Sequence, residues 1–225
     1  MIQLQKSGEI INPDEVLRLK SEYQAHSCVR LPGLLGADLL KYLLTRLEQQ
    51  PWIRRDHGGI GADEVLDDES ARRLLHFVAN APGFLEAIRV IGCCPEISEF
   101  RGEVYRLAPN SDHYDTWHSD AAQTRKQRLI GMSINLGSRA YSGGVFQLRD
   151  EETARTIFEV ANTGYGDAIL FRLSNRRKHR VTPVTGSEPL LLPVSRCVRP
   201  RSACSEPRMQ LRSAQGRAPG PTTAG

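Results

Sequence analysis

Two His-x-Asp pairs stand close together in the segment HYDTWHSD: His113 with Asp115, and His118 with Asp120. In an extended strand, residues i and i+2 point to the same face, so either pair can present an imidazole and a carboxylate to one metal ion. A third candidate ligand, His179, stands 61 residues after His118, at the head of the run HRVTPV. Two histidines and one carboxylate on facing strands are typical of the facial triad of non-haem Fe(II) enzymes, which leaves coordination positions open.

The elements that would position these side chains are short strands. After Pro95, runs of about five to nine residues rich in Val, Ile, Phe and Leu alternate with Gly, Asn, Asp and Ser. The runs are FRGEVYRL, RLIGMSINL, VFQLR, TIFEV, DAILFRL and HRVTPV. This spacing is typical of an antiparallel sandwich or barrel, because alternating βαβ units would need helical segments between the strands. We therefore predict a β-sandwich of the jelly-roll type.

The part of the chain before Pro95 has the pattern of helices. A helix begins at Asn12-Pro13-Asp14-Glu15, where Asn is the cap, Pro lies in the first turn and Glu follows three residues after the cap. Helical spacing of apolar residues predicts further helices over Ala37 to about Gln49, about 69–79 and 83–91. The Gly- and Asp-rich residues 52–68 are interpreted as a loop. The predicted fold class is α+β: a double-stranded β-helix (jelly roll) core with N-terminal support helices.

The end of the chain differs in composition. Residues 186–225 contain six Arg, two Glu and no Lys, a sum of +4 that equals the net charge of the whole chain. The remaining residues balance at 24 basic and 24 acidic side chains, so the folded part has no charge excess that favours nucleic acid as a partner. The sequence predicts a helical support region over 1–95, a jelly-roll core over 96–194, and a disordered Arg/Pro/Ser-rich tail over 195–225.

Composition also excludes several other classes of protein. No stretch approaches the roughly 18 consecutive apolar residues of a membrane helix. The start of the chain, MIQLQKSGEIINPDE, lacks the apolar run of a signal peptide, so we expect a cytoplasmic protein. The five cysteines are an odd set without CxxC spacing, and reduced thiols are expected.

The ordered motifs from Arg101 to about Pro189 resemble the catalytic core of the Fe(II)/2-oxoglutarate-dependent dioxygenases, particularly the prolyl-4-hydroxylase-like branch. YRLAPNSDHYDTWHSD is similar to the strand that leads to the family's HxD motif. RLIGMSINLGSRAYSGGVFQLRD is similar to its hydrophobic strand, Gly-Gly turn and following strand, and GDAILFRLSNRRKHRVTPVTG to its Gly-Asp turn, apolar strand and distal histidine. The resemblance covers about 40% of the chain.

This resemblance implies that His118 and Asp120 are the proximal ligands of the metal and His179 the distal one. The family places its HxD shortly before the next core strand, which favours this pair over His113 and Asp115, interpreted as a polar loop pair. The implied cofactors are Fe(II) and 2-oxoglutarate, with dioxygen as co-substrate and ascorbate as a reductant. The implied reaction is hydroxylation of an unidentified peptide or small molecule, with succinate and CO2 as co-products.

Tyr105 and Tyr114 are the candidates for lining the cofactor pocket and hydrogen-bonding 2-oxoglutarate. An equal alternative is that both are ordinary strand aromatics.

The chain departs from the family after the distal histidine. The family has a basic residue, usually Arg, nine to eleven positions further on, which pairs with the remote carboxylate of 2-oxoglutarate. Here positions 188–190 are Glu-Pro-Leu. Strand alternation assigns Arg180 to the face opposite His179, which makes it a poor substitute. The candidate replacement is Arg128 or Lys126, from the strand that follows the HxD motif. The alternative function is a catalytically impaired jelly-roll metal-binding protein that has lost the 2-oxoglutarate anchor.

Overall fold

The computed structural model describes residues 1–48, 50–67, 69–120, 128–137, 139, 141–161 and 164–198; at 69, 71, 114, 128 and 190–198 it describes the backbone alone. The helices of this part are α1 (Pro13–His26), α2 (Ala37–Leu47), α3 (Glu69–Ala79) and α4 (Pro82–Gly92). The strands are β1 (Ile2–Gln5), β2 (Gly8–Ile11), β3 (Cys28–Leu31), β4 (Trp52–Asp56), β5 (Gly61–Leu66), β6 (Glu99–Leu107), β7 (Tyr114–His118), β8 (Arg128–Ile134), β9 (Ser142–Gly143), β10 (Phe146–Asp150), β11 (Thr156–Val160), β12 (Ala168–Arg172), β13 (Arg177–Val181), β14 (Val184–Thr185) and β15 (Leu190–Val198).

The predicted helices are present and bury their predicted faces. Asn12 caps α1: its side-chain oxygen accepts hydrogen bonds from the backbone N–H groups of Asp14 (2.9 Å) and Glu15 (3.4 Å). The apolar faces of α1 and α2 are buried in one core with β3 and α4. Their buried members are Val16, Leu19, Tyr23, Leu39, Leu40, Leu43 and Leu47. The helices therefore form the expected layer of support for the sheet.

Eleven of these strands form one antiparallel sheet that folds back on itself, and β1–β2 and β9–β14 form two separate two-stranded sheets. The order of the large sheet is β11-β10-β13-β7-β5-β6-β15-β8-β12-β3, and β4 pairs with β5 outside this path. Although β12 and β13 are far apart in this order, the rings of Phe171 and His179 lie 4.9 Å apart, and those of Phe146 and Phe171 lie 4.8 Å apart. The two halves of the path therefore face each other as two layers. This confirms the predicted α+β jelly roll.

The interpretation of residues 52–68 as a loop was wrong. The segment forms the hairpin β4–β5, and Gly58 and Gly59 supply the positive φ angles of its turn (51° and 83°). Asp63 on β5 accepts hydrogen bonds from Arg55 on β4, and β5 also pairs with β6 and β7. The sequence of this segment is polar and lacks the alternation typical of a strand. It forms strands because β5 pairs with the distant strands β6 and β7.

The last core strand is longer than the sequence predicted. The core was expected to end at Val194, but β15 continues to Val198. It pairs with β6 from Leu190 opposite Leu107 to Val198 opposite Glu99, and on its other side with β8. Backbone hydrogen bonds from two neighbours need no apolar alternation, so composition did not reveal the strand's end. The rest of the predicted tail, 199–225, lies outside the described residues.

Within the described ranges, no single helix is long and apolar enough to cross a membrane. Two consecutive helical segments, Arg72–Ala79 and Pro82–Gly92, reach the length and apolar composition of a membrane span only when they are counted together, and the chain bends by 66° between them. In α4 the apolar side chains of Phe84 and Ile88 are fully buried in the core.

Candidate active site

The structure brings the three predicted metal ligands together. Strands β7 and β13 pair with His118 opposite His179, and the two imidazole centroids lie 4.3 Å apart. Asp120 follows β7 by two residues, and its Oδ2 lies 3.7 Å from Nε2 of His179. One ligand atom from each of the three side chains lies within 4.8 Å of the others. The three ligand atoms therefore surround one common space.

Neighbouring groups orient these side chains. Nδ1 of His118 lies 2.7 Å from the carbonyl oxygen of Thr116, so the tautomer that donates this bond leaves Nε2 as the metal-binding lone pair. The hydroxyl of Ser119 donates to the carbonyl oxygen of Ser174 at 3.1 Å, which holds the turn carrying Asp120 against the turn that follows β12. Orientation by hydrogen bonds of this kind is what a preformed metal site needs.

The donor set fits Fe(II). Asp120 and His179 are only 4% and 6% exposed, and the ring of His179 packs against Phe146 and Phe171. A carboxylate in such an apolar environment is costly unless a positive charge compensates it. Two imidazoles and one carboxylate with open positions are the set used by non-haem Fe(II) oxygenases.

His113 lies apart from this cluster and is used structurally. Its ring is buried, and Nδ1 accepts a hydrogen bond from the backbone N–H of Ala108 at 3.1 Å. Its Nε2 lies 3.3 Å from the guanidinium of Arg54, which forms an ion pair with Asp112. Nδ1 of His113 already accepts a hydrogen bond and Nε2 lies beside a guanidinium, so neither nitrogen is placed to bind a metal.

A β-bulge places Asp115 on the same face as the metal ligands. His179 on β13 is paired with His118 on β7, and Val181 is paired with Asp115. The two residues on β13 are two positions apart, whereas their partners on β7 are three positions apart. The extra residue turns Asp115 to the face of His118, although strict alternation would put the two residues on opposite faces. Burial raises the pKa of the Asp115 carboxyl. Sequence reasoning missed this position because it considered Asp115 only together with His113, as a candidate ligand pair or as a polar loop pair.

The opposite face of the same strands carries a cationic stack. The guanidinium groups of Arg149 and Arg180 lie 4.5 Å and 4.6 Å from the ring centroid of Trp117. Arg180 also donates to the side-chain oxygen of Gln147 at 2.6 Å. Arg180 therefore lies behind the sheet, on the face opposite His179, as strand alternation predicted.

The candidate 2-oxoglutarate contacts are only partly described. Tyr105 is buried on β6, in the apolar cluster between the layers that also contains Phe146 and Phe171. The sequence did not single out Tyr141, which is buried in the same cluster and precedes the short strand β9. The side chains of Tyr114 and Arg128, on β7 and β8, lie outside the described part of the structure.

At the position where the family has its basic residue, this chain has Glu188, which forms an ion pair with Arg139. Glu188 accepts a hydrogen bond from Arg139 at 2.9 Å, on the surface of the molecule. Lys126, one of the two candidate replacements, belongs to residues 121–127, which lie outside the described residues.

The fold and the site define a class: a jelly-roll protein with a two-histidine, one-carboxylate metal centre between its layers. Residues 103–198 match the model of the 2OG-Fe(II) oxygenase superfamily, where 2OG stands for 2-oxoglutarate. Over these residues the chain is similar to that superfamily, which agrees with the resemblance seen in the sequence. Fe(II) and 2-oxoglutarate, the predicted cofactors, are those of this superfamily. The search of curated proteins found no significant match.

Similar solved structures share the fold at low sequence identity. A prolyl-4-hydroxylase from Pseudomonas putida is 17% identical, with a TM-score of 0.64 over 82% of this chain and 99% of that one. An oxidoreductase of the 2OG-Fe(II) oxygenase family from Burkholderia pseudomallei is 17% identical, with a TM-score of 0.62 over 89% and 97%. The epimerase SnoN, solved with Fe3+, alpha ketoglutarate and nogalamycin RO, is 15% identical, with a TM-score of 0.62 over 95% and 97%.

Proposed function

We propose that this protein is an active Fe(II)- and 2-oxoglutarate-dependent hydroxylase of a peptide or a small molecule. The observation that carries the proposal is the convergence of His118, Asp120 and His179 inside a superfamily core. When bound, Fe(II) and 2-oxoglutarate supply the oxidising chemistry: dioxygen is reduced, 2-oxoglutarate becomes succinate and CO2, and the second oxygen atom enters a substrate C–H bond.

The protein's own residues hold and shield the centre. His118, Asp120 and His179 would bind the metal through two nitrogens and one oxygen. Phe146 and Phe171 exclude water on the side of His179, which strengthens electrostatic interactions at the centre. Tyr105 has a hydroxyl within the same apolar cluster and is the described candidate for a hydrogen bond to 2-oxoglutarate.

A second candidate function is metal binding without turnover. It is favoured by Glu188-Pro189-Leu190, which stand where the family has its basic anchor, and by the engagement of Glu188 with Arg139. A buried carboxylate of 2-oxoglutarate that finds no cationic partner would bind about 2–5 kcal/mol more weakly. The first function requires another cation to take the place of the anchor, and Arg128 is the candidate.

Anaerobic titration separates the two functions. The apo-protein is titrated with Fe(II), then with 2-oxoglutarate, while visible absorbance is recorded. A weak metal-to-ligand charge-transfer band that requires both additions indicates 2-oxoglutarate bound to the triad iron. Iron binding without a band at millimolar 2-oxoglutarate would refute the oxygenase proposal and support the metal-binding alternative.

Matched variants assign the signal. We expect His179→Ala to lose the band together with the iron, and His113→Ala to retain both. We expect Arg128→Gln to keep the iron but to require more 2-oxoglutarate for the band. Succinate formation in air, with ascorbate as reductant and candidate peptides or small molecules added, then tests turnover.

A further inference from the structure

The carboxylate of Asp115 faces the metal site without a hydrogen-bond or ion-pair partner in the described part of the chain. The bulge in β7 places it there, three residues before His118 on the same face of the sheet. Its electrostatic neighbours are the side chains of His118, His57, Asp63 and Asp120. Asp115 is therefore a hydrogen-bond acceptor and a negative charge at the edge of the centre.

The other carboxylates of this group have cationic partners. Asp63 is only 4% exposed and accepts hydrogen bonds from Arg55, with Nε–Oδ1 and Nη2–Oδ2 distances of 3.2 Å and 3.0 Å. Nε2 of His57 lies 3.0 Å from Oδ2 of the same Asp63. Asp120 belongs to the triad, where a divalent cation would compensate its charge. Among the described carboxylates of this group, Asp115 is the one that forms neither a hydrogen bond nor an ion pair with a cationic side chain.

The β4–β5 hairpin fixes the surroundings of Asp115. The backbone N–H of Thr116 donates to the carbonyl oxygen of Ile60 at 2.7 Å, and that of His57 donates to the carbonyl oxygen of Gly61 at 2.8 Å. Gly61 is also the register partner of Asp115. The hairpin turn thus borders the metal-site strand, and His57 is held there by Asp63. A ligand beside the metal would meet a preformed acceptor group.

We propose that Asp115 is a specificity-determining residue that binds a positively charged nitrogen group of the substrate, an amine or a guanidinium. The inference rests on the proposed function, because it assumes that substrate approaches the triad. A carboxylate that is partly removed from water binds such a group through charge-assisted hydrogen bonds, which are about twice as strong as neutral ones. Neutral donor groups gain less from it and acidic groups are repelled by it, so the site selects by charge.

The test uses the full chain loaded with Mn(II), a paramagnetic ion that broadens the proton resonances of molecules bound nearby. The probes are L-arginine and L-lysine, with L-citrulline and L-norleucine as uncharged counterparts. We expect the cationic probes to be broadened at about tenfold lower concentration than their neutral counterparts. Asp115→Asn should abolish this preference while Mn(II) still binds at the triad, because Asp115 is neither one of the three ligands nor hydrogen-bonded to one.

Two further variants keep the result interpretable. Asp112→Asn removes the same charge from an exposed side chain, 61% exposed and paired with Arg54, and should leave the preference unchanged. Asp115→Glu keeps the negative charge and should keep the preference for cationic probes. If the Asn variant does not fold, this variant provides the test, because loss of the preference in a folded Glu variant would contradict the inference. Three results would overturn the inference about Asp115 without overturning the proposed function. They are equal binding of cationic and neutral probes, a preference that survives Asp115→Asn, and no broadening of any probe although Mn(II) is bound. Failure of the protein to bind Mn(II) at the triad would overturn the proposed function itself.

Discussion

Replacing Asp167 with alanine should weaken the fold, because this buried carboxylate joins the segment of Arg30 and Gly33 to its own turn at Gly164. Its Oδ1 accepts a hydrogen bond from the backbone N–H of Gly33 at 2.6 Å. Its Oδ2 accepts from the backbone N–H of Gly164 at 2.9 Å and from Nε of Arg30 at 2.8 Å. Asp167 is only 4% exposed and immediately precedes β12, the strand that carries Phe171 against His179.

The expected loss in the free energy of unfolding follows from these contacts. Two backbone N–H groups lose a charged acceptor, at about 1–1.5 kcal/mol each, which is less than for a fully buried group because Gly33 and Gly164 are half-buried and can be hydrated. The ion pair with Arg30 adds at most about 1 kcal/mol, because that guanidinium is 42% exposed and can be hydrated. The total is about 2–4 kcal/mol. Asp167→Asn keeps one acceptor oxygen and should lose about half as much.

Urea unfolding followed by tryptophan fluorescence measures this loss by linear extrapolation to water. The matched control is Asp112→Ala, which removes the same residue type from an ion pair with Arg54 whose side chains are 61% and 54% exposed. The control should cost no more than about 1 kcal/mol. If Asp167→Ala cost no more than Asp112→Ala, the argument from burial would be refuted.

Three other predictions concern the metal site, the last strand and the thiols. His118→Ala should abolish Fe(II) binding measured by anaerobic titration, whereas His113→Ala should preserve it; loss of iron in the His113 variant would show that the wrong His-x-Asp pair was chosen. The amides of β15 over Val194–Val198, where the strand is paired with both β6 and β8, should exchange slowly with deuterium, and rapid exchange would contradict the paired strand. Burial raises the pKa of the Cys28 thiol well above its usual range, so a thiol reagent at neutral pH should label exposed Cys93 rapidly and Cys28 only on unfolding; equal rates would contradict this assignment.

Local patterns in the sequence predicted much of the fold. The cap at Asn12 and the helical spacing of leucines in α2 are properties of single segments, and both are present in the structure. The apolar runs after Pro95 became the strands β6, β8, β10, β11, β12 and β13. The spacing of His118 and Asp120 is likewise local, so one half of the metal site could be inferred before any contact was known.

The remainder depended on pairing between distant strands. The hairpin over 52–68 and the full length of β15 have little signal of their own, because neighbouring strands supply their hydrogen bonds. The position of His179 opposite His118 is a register between strands 61 residues apart in the chain. The sequence offered His179 as a candidate ligand, but the register that sets it opposite His118 is a property of the tertiary structure.

Asp115 shows the limit most clearly. Alternation within one strand assigns it to the face opposite His118, whereas the bulge against β13 brings both residues to the same face. A bulge exists only between two strands, since it is a mismatch in their residue counts. The sequence by itself therefore determined which residues could bind a metal, and the tertiary structure alone decided that a further carboxylate lies beside them.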